Sequence, residues 1–285
     1  MSGGIFSNLA SWEDNGNGLA RELANEGYDV WEIEMNGGEN TECSTCPDYT
    51  YQDQVDYFWP ALVAGVMNYS GKSQVNYIGH SNGCRVALSS LNSYSDGKNN
   101  VGTAFNTESG QYDINLNLPD KPIDRFFGVA CPTTLNDITG ASELTRELKD
   151  DVPVGDTAMK KIREKNIQHI KRQEYSGKLK LLGWLAKSDD KISTNLMDFY
   201  NNISINRNTL FLLQPNLINK AILFAGTTGY TGLNHFGDDG VVPLSDMKSL
   251  NTSLNNSKLY IIGKNHGELI ADKGFKKIVK GELNG

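Results

Sequence analysis

The chain has 285 residues, 38% of them hydrophobic, enough for a large core and best read as one domain carrying an insertion. Its formal net charge of −7 argues against a nucleic-acid partner, which would require clustered basic residues. No apolar run approaches the roughly 20 residues of a membrane-spanning helix, and no signal peptide is visible.

In chain order, residues 19–26 read as a helix closed by Gly27, and residues 28–33, YDVWEI, as a strand. Residues 53–69 carry Val55, Phe58, Leu62, Val66 and Tyr69 at helical spacing, with Pro60 expected to kink the helix or end its first part. Residues 74–78 form a short run with β-branched and aromatic side chains, a strand, and residues 85–91 place Val86, Ala87, Leu88 and Leu91 on a helix face. Further strands are expected at 124–131 (DRFFGVAC), 220–225 (KAILFA) and 258–263 (KLYIIG), and helices at 244–250 and 269–279. Strands alternating with helices imply an α/β fold with a mostly parallel sheet flanked by helices.

The rhythm breaks between Pro132 and Pro215, where the sequence is mostly helical and polar. Its basic run at 160–165 reads as a solvated helix face. The cluster LKLLGWL at 179–185 reads equally as ordinary core or as the apolar underside of a lid. The division expected is a core made of 1–131 and 216–285, with a largely helical lid or cap insertion at 132–215, between two strands where active sites collect. Asn-rich stretches at 99–117, 201–208 and 251–256 read as loops.

Four cysteines are present. Cys43 and Cys46 form a lone CxxC without the further ligands that zinc requires, and read as a loop staple or two free thiols. Cys84 and Cys131 adjoin predicted core elements and are expected to be buried free thiols. No metal or cofactor is called for.

The stretch Gly79-His80-Ser81-Asn82-Gly83 lies between the strand at 74–78 and the helix at 85–91. A serine is a weak nucleophile unless a base activates it. The pattern Gly-x-Ser-x-Gly is that of a nucleophile elbow, in which the serine occupies a sharp strand-to-helix turn. A Cβ two residues before or after it would collide with the neighbouring strand or helix, and glycine has none.

A serine elbow needs a base, and the base needs an orienting carboxylate. Of the four histidines, His266 follows the last strand and precedes the last helix, where a ligand-facing residue of a parallel sheet belongs. Asp239, in Asp238-Asp239-Gly240-Val241-Val242-Pro243, is the expected acid and Asp238 the alternative. His235 precedes both and could line the same loop and touch substrate. His80 reads as a pocket wall or packing residue, and His169 as solvated among charges.

Three separated motifs, GHSNG, DGVVP and NHG, together with the LARELANEGYDVWEIEM wording of the early helix and strand, resemble the α/β-hydrolase superfamily and its lipase/esterase branch. The resemblance covers residues 3–35, 49–131 and 219–279. It implies cleavage of carboxylic esters through an acyl-enzyme, with Ser81, His266 and Asp239 as triad. Amide hydrolysis or acyl transfer by the same triad is an alternative. A small-molecule or lipid-like ester is the implied substrate. The oxyanion donors implied are the N–H groups of Asn82 and Ile5, with Phe6 beside the latter. In the family a mid-sheet strand precedes the oxyanion loop, between those at 28–33 and 74–78. Here it is expected to be missing, with the start truncated and any signal peptide lost with it. A catalytically impaired binding protein on the same fold is therefore also carried forward. Lipase-like relatives are often secreted, but the compartment is left open.

Overall fold

The strands form because short β-branched and aromatic runs can bury both faces when helices cover each side of a sheet. The computed structural model describes residues 1–3, 10–13, 16–34, 54–95, 101–106, 111–117, 121–133, 218–228, 239–240 and 242–285. Its strands are β1 (Val75–His80), β2 (Val101–Asn106), β3 (Gln111–Asn117), β4 (Ile123–Val129), β5 (Ile218–Gly226) and β6 (Ser257–Ile262). Four of them make one parallel sheet in the order β1-β4-β5-β6, and β2 pairs with β3 antiparallel. The helices are α1 (Ala10–Glu13), α2 (Leu19–Asn25), α3 (Trp59–Ser70), α4 (Asn82–Ser95), α5 (Leu244–Ser253) and α6 (Lys273–Asn284).

The period-2 alternation of strand side chains divides the core in two. Tyr77, Phe126, Ala221 and Leu223 join a cluster with Val63 of α3, Leu88 of α4 and Leu250 of α5. Their chain neighbours Ile78, Phe127, Ile222 and Phe224 face the other way, against Leu23 of α2 and Phe275 and Val279 of α6. Register places Ile78 opposite Phe127 and Phe127 opposite Ile222, so one apolar row crosses three strands. Each fully buried side chain of this kind contributes roughly 1.5–3 kcal/mol. At the outer strand β6 burial is only partial, and Ile261 is exposed.

Several expectations are corrected. Pro60 stands where the first part of the helical run ends rather than in mid-helix: a π-helical turn at Gln54–Phe58 gives way to α3 at Trp59, and the missing N–H falls in the first turn of α3. The polar stretch at 99–117 contains β2 and β3 rather than being loop throughout. Helix α5 continues to Ser253, into the stretch 251–256 read as a loop. The helix expected at 269–279 is a 3-10 turn, Leu269–Ala271, followed by α6, whose N-cap Asp272 accepts the Phe275 N–H at 3.0 Å. Cys84 and Cys131 are not free thiols. They form a disulfide, Cα to Cα 5.4 Å, joining the first turn of α4 to the residue two beyond β4.

Where the missing strand was expected no strand forms, but isolated bridges partly fill the gap. Residues 1–3 occupy its place: Ser2 bridges in parallel to both Ile33 and Gly79. The Ser2 N–H donates to the Ile78 carbonyl at 2.9 Å, the His80 N–H to the Ser2 carbonyl at 3.0 Å, and the Ile33 N–H to the Met1 carbonyl at 2.9 Å. The Met1 amino group donates to the Trp31 carbonyl at 2.6 Å. A strand extends a sheet one hydrogen bond at a time, so three residues suffice to link the 28–33 segment to β1. Met1 also lines a half-open cavity of about 300 Å³ with Leu23, Tyr28, Val30, Val66 and Tyr77, among others. It also reaches Lys72 and Gln74, and so lies toward the start of β1, at the far end from Ser81.

The insertion expected at 132–215 lies, from residue 134 on, outside the described residues, as do Cys43 and Cys46. The chain entering it is fixed on α5: the Thr133 N–H donates to buried Asp246 at 2.8 Å and the Cys131 N–H to the Met247 sulfur at 3.1 Å.

Candidate active site

The site is built at the carboxyl end of β1. Ser81 follows the strand with φ 53°, a left-handed conformation that a serine rarely adopts. Two backbone bonds hold it there: its N–H donates to the Val129 carbonyl at 2.9 Å, and its carbonyl accepts the Arg85 N–H at 3.1 Å, the first turn of α4. The two flanking glycines are required by space. A Cβ on Gly79 would lie 2.8 Å from the Cys84 backbone nitrogen, inside the helix. A Cβ on Gly83 would lie 2.7 Å from the Gly3 carbonyl oxygen and 2.7 Å from the Ser2 hydroxyl, inside the bridging segment. This is the strand-and-helix collision that the sequence pattern implies.

Asn82 opens α4, where its own N–H has no intrahelical acceptor. Its buried side chain donates to Gln54 at 3.1 Å. The Gly83 N–H donates to the Gly3 carbonyl at 3.1 Å, so the segment that continues toward Ile5 is docked on the elbow at Gly3.

Asp239 and His266, 27 residues apart, are brought together after β5 and β6. The Asp239 carboxylate accepts from His266 Nδ1 at 2.8 Å, and both residues are buried. The other carboxylate oxygen accepts the Val242 N–H at 2.6 Å, and the Asp239 carbonyl accepts the His266 N–H at 2.9 Å. A carboxylate only accepts, so the proton in this bond resides on Nδ1, and Nε2 is left with its lone pair as a base.

His80 directly precedes the serine and packs against this pair. Its ring is 4.7 Å, centroid to centroid, from that of His266, and its Nε2 is 3.0 Å from the His266 carbonyl oxygen. Burial, with the neighbouring His266 second, lowers its pKa to about 3 against a smaller opposing pull from Asp239. Its imidazole is therefore neutral at physiological pH.

Of the site residues expected from sequence, Ser81, Asn82, His80, Asp239 and His266 fall in described segments and gather around the ends of β1, β5 and β6. Ile5, Phe6, His169, His235 and Asp238 lie outside the described residues. Sequence reasoning missed Gln54 as the partner of Asn82, and residues 1–3 as a wall of the elbow. For Gln54 no local signal exists, since its partner is 28 residues away. Among the described residues no cluster of three His, Cys, Asp or Glu side chains could hold a metal ion. No described helix is long and apolar enough to cross a membrane.

No model of a protein family matches the chain. A tear acid lipase-like protein from Mesocricetus auratus is 30% identical over 95 residues, and the match spans about a quarter of that relative's length, 24%, and 30% of this chain. Among solved structures, a meta-cleavage product hydrolase from Pseudomonas fluorescens IP01 superposes with a TM-score of 0.58 at 16% identity, over 99% of this chain and 89% of its own. An esterase from Rhodococcus sp. ECU1013 does so with 0.56 at 17%, over 100% and 89%. An enol-lactonase from Burkholderia xenovorans LB400 gives 0.51 at 12%, over 100% and 90%. At these identities the likeness is one of architecture. With its parallel sheet, strand order and covering helices, the chain has the α/β-hydrolase fold.

Proposed function

We propose that the chain is a serine hydrolase of carboxylic esters. In this reading Ser81 Oγ attacks the ester carbonyl while His266 Nε2 takes its proton. His266 then gives that proton to the leaving alcohol, and an acyl-Ser81 intermediate remains. Water, deprotonated by His266 in a second round, releases the acid and restores the serine. Asp239 keeps the imidazole in the Nδ1–H tautomer and stabilises the imidazolium as it forms. The N–H groups of Asn82 and Ile5 stabilise the tetrahedral oxyanion, each worth about 2.7–4 kcal/mol of barrier. The observation that carries the reading is the buried Asp239–His266 bond beside a serine held at φ 53°. The fold of the esterase and hydrolase neighbours supports it at a coarser level.

The test is hydrolysis of p-nitrophenyl esters of graded acyl length, with fluorophosphonate labelling in parallel. Labelling at Ser81, lost in Ser81→Ala, and turnover lost in both Ser81→Ala and His266→Ala are expected. Folded protein that neither labels nor turns over any ester would favour a binding protein on this fold. Turnover that survives His266→Ala would remove that residue as the base.

A further inference from the structure

Among the buried titratable groups that the proposed mechanism leaves unused, the imidazole of His80 stands nearest in sequence to the nucleophile. It is 6% exposed and directly precedes the nucleophile. A carbonyl oxygen only accepts, so the 3.0 Å contact with the His266 carbonyl has His80 Nε2–H as donor. That leaves Nδ1 deprotonated, and among the described residues it has no hydrogen-bond partner. The ring is thus committed to a single bond, and that bond ends on the backbone of the proposed base.

His266 itself sits on a turn between β6 and the 3-10 turn. Its backbone has two polar groups to satisfy. The N–H is taken by the Asp239 carbonyl at 2.9 Å, and the carbonyl is taken by His80. One bond therefore fixes the base to its acid, and the other fixes it to the elbow. The two rings, 4.7 Å apart and tilted by 41°, pack along the same line.

We propose that His80 is a positioning residue: it pins the His266 turn to the serine elbow through a neutral Nε2–H···O=C hydrogen bond. The inference rests on the serine-hydrolase reading for its effect on rate, but the pinning itself is a statement about the turn. A misplacement of about 1 Å between reacting groups costs on the order of 10²-fold in rate. A buried carbonyl left without its donor also drives the turn to move toward another.

The experiment compares His80→Phe and His80→Leu, which remove the donor, with His80→Gln, whose side-chain amide reaches a similar position. Melting temperature, kcat, KM and the rate of fluorophosphonate labelling are read for each. Both apolar variants are expected to fold, to lose about 10²-fold in kcat with KM within a few-fold of wild type, and to label correspondingly slowly. His80→Gln should recover most of the loss. Alongside, ¹⁵N-histidine spectra read the turn without activity. Wild type should show His80 as the neutral Nε2–H tautomer, and the apolar variants should shift or broaden the His266 ring signals while His80→Gln does not. Apolar variants with wild-type kcat, or a glutamine variant no better than they are, would overturn the proposal. If wild-type Ser81 does not label at all, the hydrolase reading fails. The His266 signals in the three variants then decide the pinning on their own: unchanged signals overturn it, and selective change upholds it.

Discussion

Reducing the Cys84–Cys131 bond should destabilise the fold by an amount the loop length predicts. The two residues are 47 apart in sequence, and closing a loop of that size removes about 14 cal/mol/K from the unfolded chain, or roughly 4 kcal/mol at 25 °C. At about 2.1 cal/mol/K per residue, a 285-residue chain has an unfolding entropy of about 600 cal/mol/K. The melting temperature should therefore fall by about 7 °C on reduction. The loss should be felt at the elbow, because Cys84 lies three residues after Ser81 and its partner follows the strand that holds the Ser81 N–H. The assay is calorimetry with and without reductant, on wild type and on Cys84→Ala/Cys131→Ala, with the double variant insensitive to reductant. Mass spectrometry of the unreduced, denatured, alkylated protein identifies the cysteines directly. A transition unmoved by reductant, with Cys84 and Cys131 both alkylated before reduction, would refute the reasoning.

Asp239→Asn should keep the fold and KM but lower kcat by about 10⁴-fold in ester hydrolysis, because the amide can donate to Nδ1 and impose the wrong tautomer; near-normal kcat would exclude Asp239 as the orienting acid. Gly83→Ala should cost about 1–3 kcal/mol in denaturant unfolding, since its Cβ would meet, besides the Ser2 hydroxyl, backbone on residues 2 and 3 that cannot rotate away; unchanged stability would mean that residues 1–3 do not pack on the elbow. Glu282 is held at a pKa of about 2 by its bond to Lys220 first and to Tyr260 next. A depressed carboxylate stabilises the fold above its ordinary pKa of 4.5 and loses that contribution as pH falls from there toward about 2. Glu282→Gln should thus be less stable than wild type at pH 7, by about 2 kcal/mol, and the two melting curves should converge between pH 4.5 and 2; a constant gap would refute the assignment.

Much of this architecture was legible because its signals are local. The runs that became β1, β4, β5 and β6 are apolar enough to be buried on both faces. Gly79 and Gly83 report a crowding that any residue with a Cβ would violate. Chain order pointed to His266 and to the Asp238–Asp239 pair, since the carboxyl ends of successive parallel strands share one rim, and it left the choice between the two aspartates open. The misses share a physical cause as well. Three residues are too short to show any periodicity, so the bridges of Ser2 arise only through partners supplied on both sides. Val101, Thr103 and Phe105, and Tyr112, Ile114 and Leu116, do alternate in sequence, but their many asparagine neighbours made the stretch read as loop. The pairing of Cys84 with Cys131 depends on β1 lying beside β4, and the His80–His266 bond spans 186 residues. Neither leaves a mark on the residues nearby.

The first three residues have a mechanical consequence. Five hydrogen bonds stitch them to Trp31, Ile33, Ile78, His80 and Gly83. A load applied at Met1 along this segment would put those bonds in shear together, and the last of them sits two residues from Ser81. Helix α6 reaches the serine less directly, through the Glu282 carbonyl bonded to Arg125 of β4, the strand whose Val129 carbonyl holds the Ser81 N–H. A handle or surface tether at residue 1 would therefore tug directly on the nucleophile's seat.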